Sequence, residues 1–219
     1  MSKMKLYGMP LSSRVNRVRF LLNFLNKNIE FIYINLFEGE TRSESYSKIS
    51  DNLKVPCLED GGYYLSESNS ILRYLATKYE SPLYPKELQE KCKVDQWLDF
   101  IAIHIDEPMN RLMFNKFIAP NVGVHPSERS IKEATFMLNF HLPVIEQQLS
   151  KYRFIASDEM SIADLCLLAV VDTFELLELK MDDYPCLNAW KERLIEESFY
   201  TRCHSSYLEA FRAYMKQSL

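Results

Sequence analysis

The sequence predicts two domains: an α/β domain over residues 1–80, built on a mixed four-stranded sheet, and an all-α domain over residues 87–219. Three observations lead there. Up to residue 79, short β-rich runs alternate with helical patterns in the order β-α-β, then β-β-α. The stretch ESPLYP at 80–85 then sets two prolines close together after a long helical pattern, which marks a linker. Beyond it, every periodic segment has helical spacing.

Residues 4–7 (MKLY) read as a short strand and 8–11 (GMPL) as a loop. From 13 to 27, Val15, Val18, Leu21, Leu22 and Leu25 mark one helical face, with Arg14, Arg17 and Arg19 outside it or at its rim. EFIYIN at 30–35 is β-rich, and 37–51 is polar and irregular with room for one helical turn. Residues 54–79 (KVPCLEDGGYYLSESNSILRYLATKY) carry the most information. Cys57-Leu58-Glu59 is a strand, Asp60-Gly61-Gly62 a tight turn and Tyr63-Tyr64-Leu65 the returning strand. A helix begins near Glu67-Ser68, with Ile71, Leu72, Leu75 and Tyr79 on one face. A right-handed β-α-β unit plus this hairpin gives the four-stranded sheet.

In the second domain, 88–118 carries apolar residues at 94, 97, 98, 101, 105, 109 and 112, with Pro108 a kink. Residues 119–127 are a loop, and 128–152 a second long helix containing Pro143. Ser161-Ile162-Ala163-Asp164 is a capping box, and the apolar run behind it makes that helix the buried centre of the domain. Pro185 opens a helix with Leu187, Trp190 and Leu194 on its core face, and 207–216 is a last amphipathic helix.

Composition excludes several functions. The net charge of −4 with scattered Lys and Arg does not favour nucleic acid. No apolar run approaches the roughly 20 residues of a membrane span, and the N-terminus enters a strand without an apolar leader. Five dispersed cysteines without a CxxC suit reduced thiols in a cytoplasm, and four histidines without paired spacing argue against a metal site. No glycine-rich phosphate loop is present. Two features do look chemical. Val55-Pro56 before a strand is a candidate cis bond that would offer the Val55 backbone to a ligand. Glu67-Ser68 stands where a helix N-terminus offers N–H groups to an anion. Together they describe a peptide-like ligand bearing a carboxylate.

These motifs, with SIADL in the second domain, resemble those of the cytosolic glutathione transferases across almost the whole chain. LYGMPLSSRVNRVRFLL is similar to the zeta-class pattern, and LYPKELQEKCKVDQWLDF looks more like theta-class and bacterial theta-like members. The resemblance implies a thioredoxin-like first domain and a serine-type transferase that uses glutathione and no metal. It also implies a small hydrophobic electrophile as second substrate, a homodimer and a cytoplasmic location. It assigns Ser12 the hydrogen bond to the glutathione sulfur, and Val55 with cis Pro56 the backbone pairing to the cysteinyl part. Glu67 and Ser68 take the γ-glutamyl ammonium and carboxylate, and Lys54 reaches the glycyl carboxylate. Where theta-like members often carry a histidine, this chain reads Gly39-Glu40-Thr41-Arg42. There Thr41 can donate one hydrogen bond and Arg42 can replace the cation. Arg14 stands where zeta members carry Cys, which argues against an isomerase.

Each residue has a plainer reading. Ser12 is equally a helix cap, and Ser13 competes with it for both roles. Glu67-Ser68 suits any helix start, and Lys54 and Arg42 suit a solvated surface. Tyr7 reads as a strand residue, although other transferase classes use a tyrosine. Cys57 reads as a buried strand residue. His104, Phe100, Phe114 and Phe117 are pocket or core. A glutathione-dependent isomerase or peroxidase, and a non-catalytic protein on the same fold, remain alternatives.

Overall fold

Four short strands, β1 (Lys5–Gly8), β2 (Glu30–Tyr33), β3 (Cys57–Asp60) and β4 (Tyr63–Ser66), form one sheet in the order β2-β1-β3-β4. This is a computed structural model, and it describes residues 3–179 and 181–217. β1 pairs parallel with β2 and antiparallel with β3, and β3 pairs antiparallel with β4. The chain divides into two units, Met1–Tyr84 with Glu196–Leu219, and Pro85–Ile195.

In the first unit, α1 (Ser13–Phe24) and α3 (Ser68–Lys78) pack against each other, burying Val15, Val18, Leu21, Ile71, Leu72 and Leu75. Side chains alternate along β1. Gly8 faces α1 so closely that a Cβ there would meet Val15 Cγ2 at 2.7 Å, so only glycine fits. Tyr7, pointing the other way, meets the ring of Tyr46 edge-on at 6.4 Å. Tyr46 lies on α2 (Glu44–Ser47), which follows a single 3-10 turn, Glu40–Arg42. The polar stretch 37–51 thus holds both turns, and its one buried aromatic anchors it.

Residues 196–217, expected in the helical domain with 87–219, cluster instead with the first unit. They form α9 (Ser198–Thr201) and α10 (Tyr207–Gln217). Phe20 of α1 packs against Phe199 and Tyr200 at 5.9 and 5.5 Å, and Asn23 Nδ2 donates to Phe199 O at 2.9 Å. Once α9 is buried on α1, the contacts of this segment belong to the sheet domain.

The second unit contains α4 (Leu88–Ile101), α5 (Glu107–Met113), α6 (Glu128–Leu149), α7 (Ile162–Val171) and α8 (Pro185–Ile195). Every residue of α7 is buried. Its N-terminus carries the expected capping box, and Asp164 there does more than cap. Its carboxylate accepts from Ile155 N, Ser161 N, Ser161 Oγ and Trp190 Nε1, all within 2.9–3.0 Å. Where a kink was expected at Pro108, two π-helical turns occur, Ala102–Asp106 and Phe114–Ile118. Each lies just before a proline, Pro108 and Pro120. A proline has no N–H for the carbonyl four residues back and crowds it, so the chain widens one turn earlier.

Candidate functional site

The strand register gathers the predicted ligand residues at one end of the sheet. Tyr7 lies opposite Cys57, Gly8 beside Tyr33, and Cys57 opposite Ser66. Four segments therefore leave from the same end: the loop after β1 with Ser12, the stretch after β2 with Thr41, the loop before β3 with Lys54, Val55 and Pro56, and the turn after β4 with Glu67 and Ser68. A hydrogen bond of 3.0 Å from Arg17 Nη1, one turn into α1, to Asn69 Oδ1 in the opening turn of α3 joins the two helices. Arg17 is 1% exposed, so a guanidinium charge is buried against the start of α3.

Ser12 is the N-cap of α1, with φ −88° and ψ 118°. Its Oγ accepts from Val15 N at 3.4 Å. A hydroxyl that accepts still holds one proton to donate, so cap and thiolate donor are compatible in the same residue. Ser13 is the first residue of the helix itself. Tyr7 is differently engaged. Its hydroxyl donates to Glu59 Oε2 at 2.7 Å, and Lys5 Nζ reaches the same oxygen at 3.1 Å. Burial, and then the Glu59 carboxylate, push the Tyr7 phenol far above its ordinary range. Its single proton is committed within the sheet.

The Val55-Pro56 bond is cis. Among the described residues, nothing in the fold hydrogen-bonds to the Val55 main chain. The Lys54 carbonyl, by contrast, accepts from the Tyr46 hydroxyl at 2.8 Å, while Lys54 itself is exposed. Glu67 has φ 66° and ψ 109°, outside the regions an L-residue favours, at a cost of about 1–3 kcal/mol. Its side chain does not cap α3; Oε1 accepts from Asn52 Nδ2 at 3.0 Å instead. The first-turn N–H groups of α3 thus face the site without a side-chain cap, and Ser68, 7% exposed, begins the helix. Thr41, half-buried, and Arg42, exposed, sit on the 3-10 turn in the stretch after β2. Among the described residues, no hydrogen bond joins Thr41 to the other site residues.

Sequence reasoning missed the supports. Asn52 Oδ1 accepts from Lys54 N at 3.1 Å while its Nδ2 holds Glu67, so one side chain links the loop before β3 to the turn after β4. Ser50 Oγ lies 2.8 Å from Asn52 Oδ1 and 3.3 Å from Ser66 Oγ. Nothing in the local pattern of a polar loop distinguishes these residues. Cys57 is fully buried, and burial raises its thiol above the usual range, which fits a strand residue and no redox role. In the second unit, His104 stacks on His141 with ring centroids 4.2 Å apart and Phe100 4.9 Å away. Burial, and then His141, lower the His104 pKa.

Comparison with known proteins follows the same lines. Residues 6–83 match the family described as glutathione S-transferase, N-terminal domain, and residues 105–197 match glutathione S-transferase, C-terminal domain. The chain is 31% identical over 214 residues to glutathione S-transferase F9 of Arabidopsis thaliana, covering 90% of this chain and 98% of the relative. It is 31% identical over 165 residues to glutathione S-transferase theta-2 of Rattus norvegicus, covering 74% and 68%. A solved structure of glutathione S-transferase-I bound with lactoylglutathione superposes with a TM-score of 0.81 at 29% identity, covering 92% of this chain and 98% of the other. These relatives are plant and theta-class glutathione S-transferases.

Proposed function

The chain belongs to the cytosolic glutathione S-transferase family and is a glutathione transferase, and from that premise we propose that Ser12 is the residue that holds glutathione as its thiolate. A free thiol has a pKa of about 8.5, so little is ionised at neutral pH. In our reading the Ser12 hydroxyl donates to the sulfur while the N-terminus of α1 adds its positive end. A depression of about two units corresponds to roughly 2.7 kcal/mol. The thiolate then attacks a small hydrophobic electrophile, forming the S–C bond as the leaving group departs.

One observation carries this choice of residue. The Tyr7 proton is already given to Glu59, whereas Ser12 makes its cap contact only as an acceptor. The rest of the tripeptide follows the site's end of the sheet. Val55 pairs its main chain with the cysteinyl unit beside cis Pro56. Glu67 binds the γ-glutamyl ammonium; Ser68 and the α3 N-terminus bind its carboxylate, with Arg17 buried behind them. Lys54 and Thr41 meet the glycyl end. Glutathione is the co-substrate, no metal takes part, and the working form is a cytoplasmic homodimer.

Retention on immobilised glutathione followed by turnover of a halogenated aromatic tests the reading, with Ser12→Ala beside the parent. Retention without loss of turnover in Ser12→Ala would reject Ser12 as the thiolate donor.

A further inference from the structure

The loop that presents Ser12 is held by its carbonyls, each of which accepts at least one hydrogen bond. Gly8 O accepts from Ile34 N at 2.9 Å, and Met9 O from Ser12 N at 2.9 Å. Pro10 O accepts from Asn16 Nδ2 at 2.8 Å, and Ser12 O from Val15 N and Asn16 N at 3.0 and 2.9 Å. The remaining carbonyl, Leu11 O, accepts from the hydroxyl of Tyr207, 196 residues along the chain. Tyr207 begins α10 and is 2% exposed. A buried tyrosine hydroxyl needs a partner, and this one finds the peptide unit immediately before Ser12.

That peptide unit is fixed at both ends. Its N–H, on Ser12, reaches Met9 O, and its carbonyl receives Tyr207. The orientation of the Leu11–Ser12 plane sets φ of Ser12 and hence the direction of its Cα–Cβ bond. The segment bearing Tyr207 is fastened elsewhere by different means. Arg202 Nη1 donates to Asn26 Oδ1 at 3.0 Å, and the His204 ring lies against Phe20 and Tyr200 at 6.0 and 4.7 Å. Fastening of the segment and positioning of the loop are therefore separable contacts.

We propose that Tyr207 is a positioning residue for the thiolate-holding serine: the C-terminal segment returns to the sheet domain to lock the Leu11–Ser12 peptide from outside the loop. The inference rests on Ser12 as the sulfur's donor. A misaimed donor weakens the bond to the charged sulfur more than it weakens binding of the rest of the tripeptide, because the other ligand segments do not depend on Tyr207.

The test is a mutant cycle on the full chain: parent, Ser12→Ala, Tyr207→Phe and the double variant, with Arg202→Ala as a control for fastening. The readouts are thiolate absorbance of the glutathione complex against pH, kcat, affinity for S-hexylglutathione and Tm. Tyr207→Phe is expected to raise the pKa of the bound thiol by about half a unit to one unit and to lower kcat about 3–10-fold, with S-hexylglutathione affinity unchanged. The double variant should titrate like Ser12→Ala alone, since Tyr207 acts through Ser12. Arg202→Ala should lower Tm without moving the titration. Asn16→Ala, which frees Pro10 O, provides a second loop clamp to release and should move the titration in the same direction. An unmoved titration in Tyr207→Phe, additive shifts in the double variant, or an equal shift in Arg202→Ala would each overturn the proposal. A Ser12→Ala variant that titrates like the parent would reject the underlying reading of Ser12 instead.

Discussion

Removing the Ser12 hydroxyl should have two consequences of different size, and the structure lets them be separated. As a cap, Ser12 Oγ accepts one N–H at 3.4 Å, a long contact. Its loss falls at the low end of measured cap effects, about 0.5–1 kcal/mol. In a chain of this size that lowers Tm by about 1–4 °C. As a donor to a charged sulfur, the same hydroxyl contributes about 1.5–3 kcal/mol, which raises the bound thiol's pKa by about 1–2 units when removed. The assay is the thiolate absorbance of the binary complex against pH, with a melting curve on each variant. Ser12→Ala should show the small loss of Tm and the large shift of titration together, while S-hexylglutathione, which has no thiolate, binds as in the parent. Ser12→Thr should restore the titration because it keeps the hydroxyl. Tyr7→Phe should leave the titration where it was and lose only the Glu59 bond. A Ser12→Ala variant with the Tm loss and an unmoved titration would reduce Ser12 to a cap. A shift in Tyr7→Phe would mean that the Glu59 pairing breaks when glutathione binds.

Three other outcomes follow from the packing. Ser68→Ala should weaken glutathione and S-hexylglutathione alike, by about 1.5–3 kcal/mol, because the lost bond is to a carboxylate and not to the sulfur; isothermal titration giving parental affinity for both would remove Ser68 from the site. Asp164→Asn leaves an amide facing donors whichever way it turns, since Ile155 N and Trp190 Nε1 hold one oxygen and Ser161 N and Oγ the other; a loss of about 3 kcal/mol or more in chemical denaturation is expected, and a loss under ~1 would contradict the network. His104 has a folded pKa below its ordinary 6.5, so between those values the unfolded chain binds more protons and stability rises with pH. Its contribution is complete above 6.5 and falls as pH drops through the lowered pKa; denaturation curves between about pH 5 and 7.5 should show that slope flatten in His104→Phe.

The elements that the sequence announces most clearly are those whose burial is periodic. α8 buries Leu187, Trp190 and Leu194, the three residues its spacing singles out, and the apolar run behind Ser161 becomes the fully buried α7. Where the outcome depended on distant partners, local pattern was silent. α9 has only four residues, too few to show a helical stripe, yet Phe199 and Tyr200 on it are among the contacts that join the C-terminal segment to the first unit. The two π turns are a subtler case. Each proline was visible, but the pattern predicted a bend at Pro108, and the backbone answered by widening a turn before it.

The candidate site divides in the same way, for a chemical reason. Residues proposed to touch the ligand are confined to fixed places in the chain, because strand ends and helix N-termini are where unpaired main-chain groups occur. Val55-Pro56 and Glu67-Ser68 can therefore be read from spacing. The residues that hold those segments face no such restriction. A carbonyl such as Leu11 O or Lys54 O accepts any donor that reaches it, whether Tyr207 from the far end of the chain or Tyr46 from a short helix. Glu67 shows how much such support matters. It holds a φ of 66°, and the Asn52 side chain that donates to its carboxylate also accepts from the backbone N–H of Lys54. The strained residue and Lys54 are thus held by one amide, so the geometry proposed to receive the γ-glutamyl group rests in part on a residue outside the proposed contacts.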